Sequence, residues 1–318
     1  MKKLFFLISA FTALLINDIK AQQPEHPFLY PVPPESLETL QERTSFLVEH
    51  FWDRCNLKSI FASRKNFEQA MDDYFSFMPY ADSAVVFNSV DNFIKEVKKS
   101  GPNTLTMVEV ARAKLYSDSA EYLSDELYLP FARAAVNASG INKELKSAYQ
   151  LEISQLENSL VGKKVAPFTM TLRDGSKKDI DEITDSYVLI FFDEPDNFDN
   201  TMARVRLSTD YSLNDLIKSG YVKVISLYAG QPDATWRDRT ADYPDNWIIA
   251  ATPQAVTLFD QRVKPTFYYL NKEHQILSKT LEADNLVDAF RTVLGAQNRI
   301  KAERERLRQE ALKQKNSQ

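Results

Sequence analysis

Four carboxylates fall within seven residues of this chain: Asp193, Glu194, Asp196 and Asp199. Carboxylate oxygens are the ligands that calcium prefers, and paired carboxylates can also do acid–base chemistry. Neither use fits well here. The spacing departs from the Asp-x-Asp-x-Asp-Gly calcium loop, Pro195 stiffens the turn, and no neighbour in sequence raises one acid selectively. A zinc site is equally poorly supplied, because His26, His50 and His274 are widely dispersed. There is no Gly-x-Ser-x-Gly and no glycine-rich phosphate loop among only 7 glycines. Neither a metal nor a cofactor is therefore expected. Cys55 is the only cysteine, which leaves no intramolecular disulfide. Beside Arg54 it could be a reactive thiol, but a small buried apolar side chain is the simpler reading.

The elements that must position the acids are legible around them. Tyr187 to Phe192 is an unbroken apolar run of β-branched and aromatic residues, as in a strand buried on both faces. The acidic turn Asp193-Glu194-Pro195-Asp196 follows, and then a helix predicted over 198–218. At such a helix N-terminus, unpaired N–H groups and the helix dipole favour negative charge. Asp199 can serve as a cap and Asp196 as an exposed turn residue without any ligand.

The order of these and several further pieces resembles the thioredoxin-like thiol–disulfide oxidoreductases, in the branch with an extra N-terminal hairpin. Val165-Ala166-Pro167-Phe168-Thr169-Met170 is similar to the entry strand, and Arg173-Asp174-Gly175-Ser176 to the hairpin turn. Tyr221 to Tyr228 matches the next strand. Lys264-Pro265-Thr266-Phe267-Tyr268-Tyr269-Leu270 resembles the strand led by a cis-proline. The resemblance spans roughly 161–295. It places Asp196-Asn197-Phe198-Asp199 where the family carries Cys-x-x-Cys. Thiol–disulfide exchange needs a thiolate attacking a disulfide sulfur, so that activity does not carry over. Because the residue before the cis-proline lies beside the redox turn in this family, Lys264 is expected to pair with Asp196 or Asp199.

The 318 residues are 44% hydrophobic and 12% aromatic, enough for packed cores. The net charge is −5, or −7 without residues 1–21, which makes nucleic-acid binding through phosphates a poor prospect. Lys2, Lys3 and the apolar stretch 4–16 read as a secretory signal cleaved near Ala21, and no later stretch is apolar enough to span a membrane. A periplasmic location follows. Residues 22–35 hold five prolines and read as an extended tether.

Residues 36–160 show apolar spacings of three and four throughout and read as a helical domain, with Ser36 and Asn66 as expected N-caps. Phe51-Trp52-Asp53 and Glu126-Leu127-Tyr128-Leu129-Pro130-Phe131 resemble an uncharacterised helical domain found ahead of thioredoxin-like domains in exported proteins of Bacteroidota. The expected architecture is thus all-helical for 36–160, then a thioredoxin-like mixed-sheet α/β domain over 161–296. A charged helical tail, 297–318, follows; a solvated extension is the simpler reading, and docking of an acidic partner or self-association is the functional one. The leading expectation for function is a non-redox binding or scaffold module for an envelope protein or peptide. Asp193, Glu194, Asp196, Asp199, Lys264, Pro265 and Thr266 would line its groove. The alternative is an enzyme using Cys55 or the acidic turn.

Overall fold

The computed structural model describes residues 26–279 and 282–315, so the expected signal segment lies outside the described residues. The described residues form two compact units that part between Val97 and Lys98.

In the first unit, residues 26–39 have no regular helix or strand, yet they are not a free tether. Phe28 and Tyr30 pack against Phe51 with ring centroids 5.5 and 4.7 Å away, and the Tyr30 hydroxyl donates to Asp73 at 2.6 Å. Two aromatic residues that lose water on Phe51 hold the segment down more firmly than its proline content suggests. Helix α1 (Leu40–His50) starts later than a Ser36 cap would place it. Thr39 and Glu42 form a reciprocal capping box that satisfies two orphan donors, a stronger signal than Ser36 alone. Helices α2 (Leu57–Phe61), α3 (Arg64–Phe77) and α4 (Ser83–Val97) follow. Ser63, not Asn66, caps α3. The core is aromatic, with Trp52 stacked on Phe93 at 4.0 Å. Buried Ser89 donates to the Val48 carbonyl at 2.6 Å, so Tyr74 must be the donor in its 2.7 Å bond to Ser89.

The second unit opens with helices α5 (Gly101–Leu115), α6 (Asp125–Asn137) and α7 (Lys143–Ser159). Pro102 sits in the first turn of α5, where its missing N–H costs nothing. The sheet strands and their helices follow. They are β1 (Thr169–Leu172), β2 (Lys177–Asp179), β3 (Tyr187–Phe192), α8 (Phe198–Ser208), α9 (Tyr211–Lys218), β4 (Val222–Tyr228), α10 (Ala234–Arg239), β5 (Ile248–Ala251), α11 (Ala255–Leu258), β6 (Thr266–Leu270), β7 (Ile276–Lys279) and α12 (Ala283–Lys315). The seven strands are ordered β2-β1-β5-β4-β3-β6-β7. Strand β3 runs parallel to β4 and antiparallel to β6, while β4 runs parallel to β5. Apolar clusters cover both faces of the central strands, as the unbroken run 187–192 requires.

Three differences from the sequence reading have clear causes. The helix expected over 198–218 is two, because Asp210 accepts from the Leu213 N–H at 2.8 Å and caps a new start. The connection 229–253 contains β5, whose four residues are too few to show a period. Finally, helices α5, α6 and α7 group with the sheet in one compact unit, because α6 and α7 are tied to it. Arg262 reaches Asp125 on α6 at 2.6 Å and Asp260 at 2.5 Å, and Lys279 also pairs with Asp125. The Arg262 guanidinium stacks over Tyr116 at 4.0 Å, and Gln155 on α7 donates to the Val256 carbonyl at 2.7 Å. Burial alone would raise the Asp125 carboxyl, but Lys279 and Arg262 hold it below its ordinary value.

Candidate functional site

Central strand β3 delivers its last residue, Phe192, directly opposite Thr266, the first residue of β6. The chain then turns through 193–197 into α8. Asn197 caps that helix, its side chain accepting from the Asn200 N–H at 3.0 Å. The Lys264–Pro265 bond is cis and leads into β6, as the resemblance implies. The acidic turn and the proline loop therefore meet at the C-terminal ends of the central strands, where open α/β sheets bind ligands.

The structure divides the four acids into different roles. Asp193 is buried and faces inward. Arg204 Nη1 reaches its two oxygens at 2.7 and 2.9 Å, and Ser226 donates to it at 3.1 Å. The same guanidinium donates to the Tyr243 hydroxyl at 2.7 Å and lies 3.9 Å above that ring. Burial pushes the Asp193 carboxyl up, and Arg204 and Ser226 offset this only in part. Asp193 is thus a strut under the turn and not part of its surface.

Glu194 and Lys264 form an ion pair at 2.5 Å, each about half exposed (48% and 47%). Asp196 pairs instead with Arg239 at the end of α10. The expectation that Lys264 would pair with Asp196 or Asp199 is therefore corrected. The antiparallel register of β3 and β6 sets Glu194, two residues past Phe192, against Lys264, two residues before Thr266. Asp199 lies in the first turn of α8, exposed and without a partner among the described residues. Thr266 is buried, and its hydroxyl donates to the Val263 carbonyl, closing the proline loop.

A cleft of about 640 Å³ opens over this turn, lined by Glu194, Asp196, Tyr228, Arg239 and Gln261 among others. At Gly230 a Cβ would lie 2.4 Å from the Tyr228 ring, so only glycine lets that ring pack into the wall. Beneath the cleft, a small cavity is lined by Asn200, Lys264 and Thr266. Asn200 donates to the Phe192 carbonyl at 2.8 Å, while its own buried carbonyl oxygen has no hydrogen-bond partner. Asn200, Arg204, Arg239 and Gln261 escaped the sequence reading. The Asn197–Asn200 spacing was a readable cap signal; the others reach the site only through tertiary folding. Among the described residues, no group of three or more His, Cys, Asp or Glu is arranged to hold a metal ion, and no helix is long and apolar enough to cross a membrane.

With this geometry in hand, comparisons with known proteins place the fold. A thioredoxin-like protein from Bacteroides caccae superposes with a TM-score of 0.72 over 83% of this chain and 98% of its own, at 22% sequence identity. The chain has a thioredoxin-like fold. Ahead of that fold, residues 10–159 match the family model of DUF5106, a domain of unknown function. Shorter matches include a conserved protein of unknown function from Bacteroides fragilis, at 22% identity and a TM-score of 0.39, covering 41% of this chain and 98% of that one. The thioredoxin domain of a thiol–disulfide oxidoreductase from Bacteroides vulgatus matches at 13% identity and a TM-score of 0.38, covering 43% and 99%. No curated protein matches the sequence. In this thioredoxin-like chain, Asp196-Asn197-Phe198-Asp199 span the turn and the first residues of α8, next to the cis-proline loop, with no sulfur at either end.

Proposed function

We propose that this protein is a non-redox binding or scaffold module of the cell envelope that holds an extended protein or peptide segment at the cleft over the acidic turn, walled by Tyr228 and Arg239 and reached by Gln261 of the cis-proline loop. The carrying observation is the pairing of an open cleft with the loss of sulfur. Acids occupy both ends of the Asp196–Asp199 segment, while the loop that flanks the cleft keeps its cis bond. Backbone recognition beside such a strand end needs hydrogen-bonding groups and not thiols. The exposed pairs Glu194–Lys264 and Asp196–Arg239 can open toward a charged ligand at small cost.

The one-thiol alternative loses support, because burial pushes the Cys55 thiol up to about 11 and keeps it protonated at neutral pH. An exported, periplasmic chain cleaved near Ala21 remains part of this proposal, as does self-association through the C-terminal tail.

The test pairs two measurements. A disulfide-reduction assay compares the natural protein with the double variant Asp196→Cys/Asp199→Cys and with Cys55→Ser. The natural protein is expected to be inactive and the double variant active. Panning a random peptide library on the natural protein is expected to enrich binders that lose affinity at least tenfold on Gln261→Arg/Lys264→Glu. Turnover by the natural protein, or binders indifferent to those substitutions, would sink the proposal.

A further inference from the structure

Two surfaces of the second unit expose apolar side chains without cover. The first lies on α8. Phe198, Met202 and Val205 are 74%, 53% and 51% exposed, and Tyr211, at the start of α9, is 76% exposed. The spacing 198, 202, 205 puts the first three on one helix face, making a ridge. Soluble chains scatter single exposed apolar residues, but four within fourteen positions on consecutive helices make a patch.

The second surface is the distal part of α12. Every residue from Asn298 to Lys313 is exposed, including Ile300, Leu307 and Leu312 at 48%, 52% and 60%. This segment continues a helix of 33 residues, about 50 Å long at 1.5 Å per residue. Its residues as far as Ala311 line a groove with Asp185, Gly220 and Tyr221, at the N-terminal ends of β3 and β4, so the segment lies at the end of the sheet opposite the acidic turn.

Charge decides what can cover these surfaces. Residues 299–318 carry seven basic and three acidic side chains, a net +4, while residues 22–298 carry −11. Two such tails side by side repel each other, whereas a tail against the acidic body of another copy attracts. The ridge on α8 starts beside Asp199, which has no partner among the described residues, and Asp284 pairs with Arg206 on the same helix. The tail brings Arg304 and Arg308 beside Leu307.

We infer that the occupant is a second copy of this chain: the basic tail 299–315 of one protomer lies along the Phe198–Met202–Val205 ridge of the other, and the exchange is reciprocal. A reciprocal exchange closes with two-fold symmetry and buries both unpartnered surfaces at once. Each tail docks as an amphipathic helix, with Ile300 and Leu307 against the ridge and its arginines toward the carboxylates. The ridge begins beside the acidic turn, but none of Phe198, Met202 and Val205 lines the peptide cleft, and the dimer is tested without a peptide.

Sedimentation equilibrium on the full mature chain tests it. The natural protein is expected to be a dimer whose dissociation constant rises with salt, as screening weakens the charge contribution. Met202→Asp on the ridge and Leu307→Asp on the tail each remove an exposed side chain, so the fold survives, and each is expected to weaken the dimer at least tenfold. Arg304→Glu/Arg308→Glu is expected to do the same, with circular dichroism unchanged. A monomer at every concentration overturns the inference, and so does a dimer that ignores either the ridge or the tail substitution.

Discussion

The same side-chain types make two unlike charge clusters in the second unit. At the turn, Glu194–Lys264 and Asp196–Arg239 are pairs between side chains that are 47–68% exposed. Behind the proline loop, Asp125, Asp260, Arg262 and Lys279 are 2–12% exposed and share one network. Water screens the first set, so its members exchange partners at little cost and suit recognition. In the second set, no partner can be removed without stranding a charge, so it suits fixing a loop in place. Exposure, not residue identity, separates the exchangeable pairs from the framework here.

That contrast can be broken experimentally, most severely at Asp125. Asp125→Asn leaves Arg262 and Lys279 with Asp260 as their one remaining carboxylate in the network. A loss of about 3–5 kcal/mol is expected in urea unfolding. A loss under 1 kcal/mol would mean that the buried cluster behaves like the exposed pairs.

Arg204→Gln comes next, with an expected cost of about 3 kcal/mol, because it strands the buried Asp193 carboxylate. The pH dependence gives the sign. Asp193 titrates above its unfolded value, so protonation favours the folded state, and the variant should regain stability as pH falls through the folded value. Asp125 has the opposite sign. Its folded value lies below the unfolded one, so its contribution is present above about pH 4 and is lost as pH falls further. The acid limb of the stability curve should therefore flatten in Asp125→Asn.

The smallest effects belong to the turn. Asp196→Asn and Lys264→Gln should each change stability by no more than about 1 kcal/mol. Either one exceeding 2 kcal/mol would erase the distinction between the two clusters.

Much of this arrangement was readable in the sequence, for identifiable reasons. Residues 187–192 announce a buried central strand by composition, and the order of the turn, the 221–228 strand and the proline strand specifies the thioredoxin-like sheet. The partners of the acids were not readable. Arg204 stands eleven residues from Asp193 and Arg239 forty-three from Asp196, so only the packing of α8 and α10 brings them together. Strand β5 hid because four residues show no period, and the Asp210 cap hid inside a helix-like stretch. The bond from Asp125 to Arg262 crosses 137 positions and joins α6 to the proline loop, a link that no local pattern encodes.

The loop from Asp260 to Lys264 alternates its allegiance. Asp260 and Arg262 turn inward to the buried network, while Gln261 and Lys264 line the cleft or the cavity beneath it. Fastening and display are thus assigned to different residues of one short segment. The outward positions can be changed while the buried ion pairs hold the backbone that presents them in place.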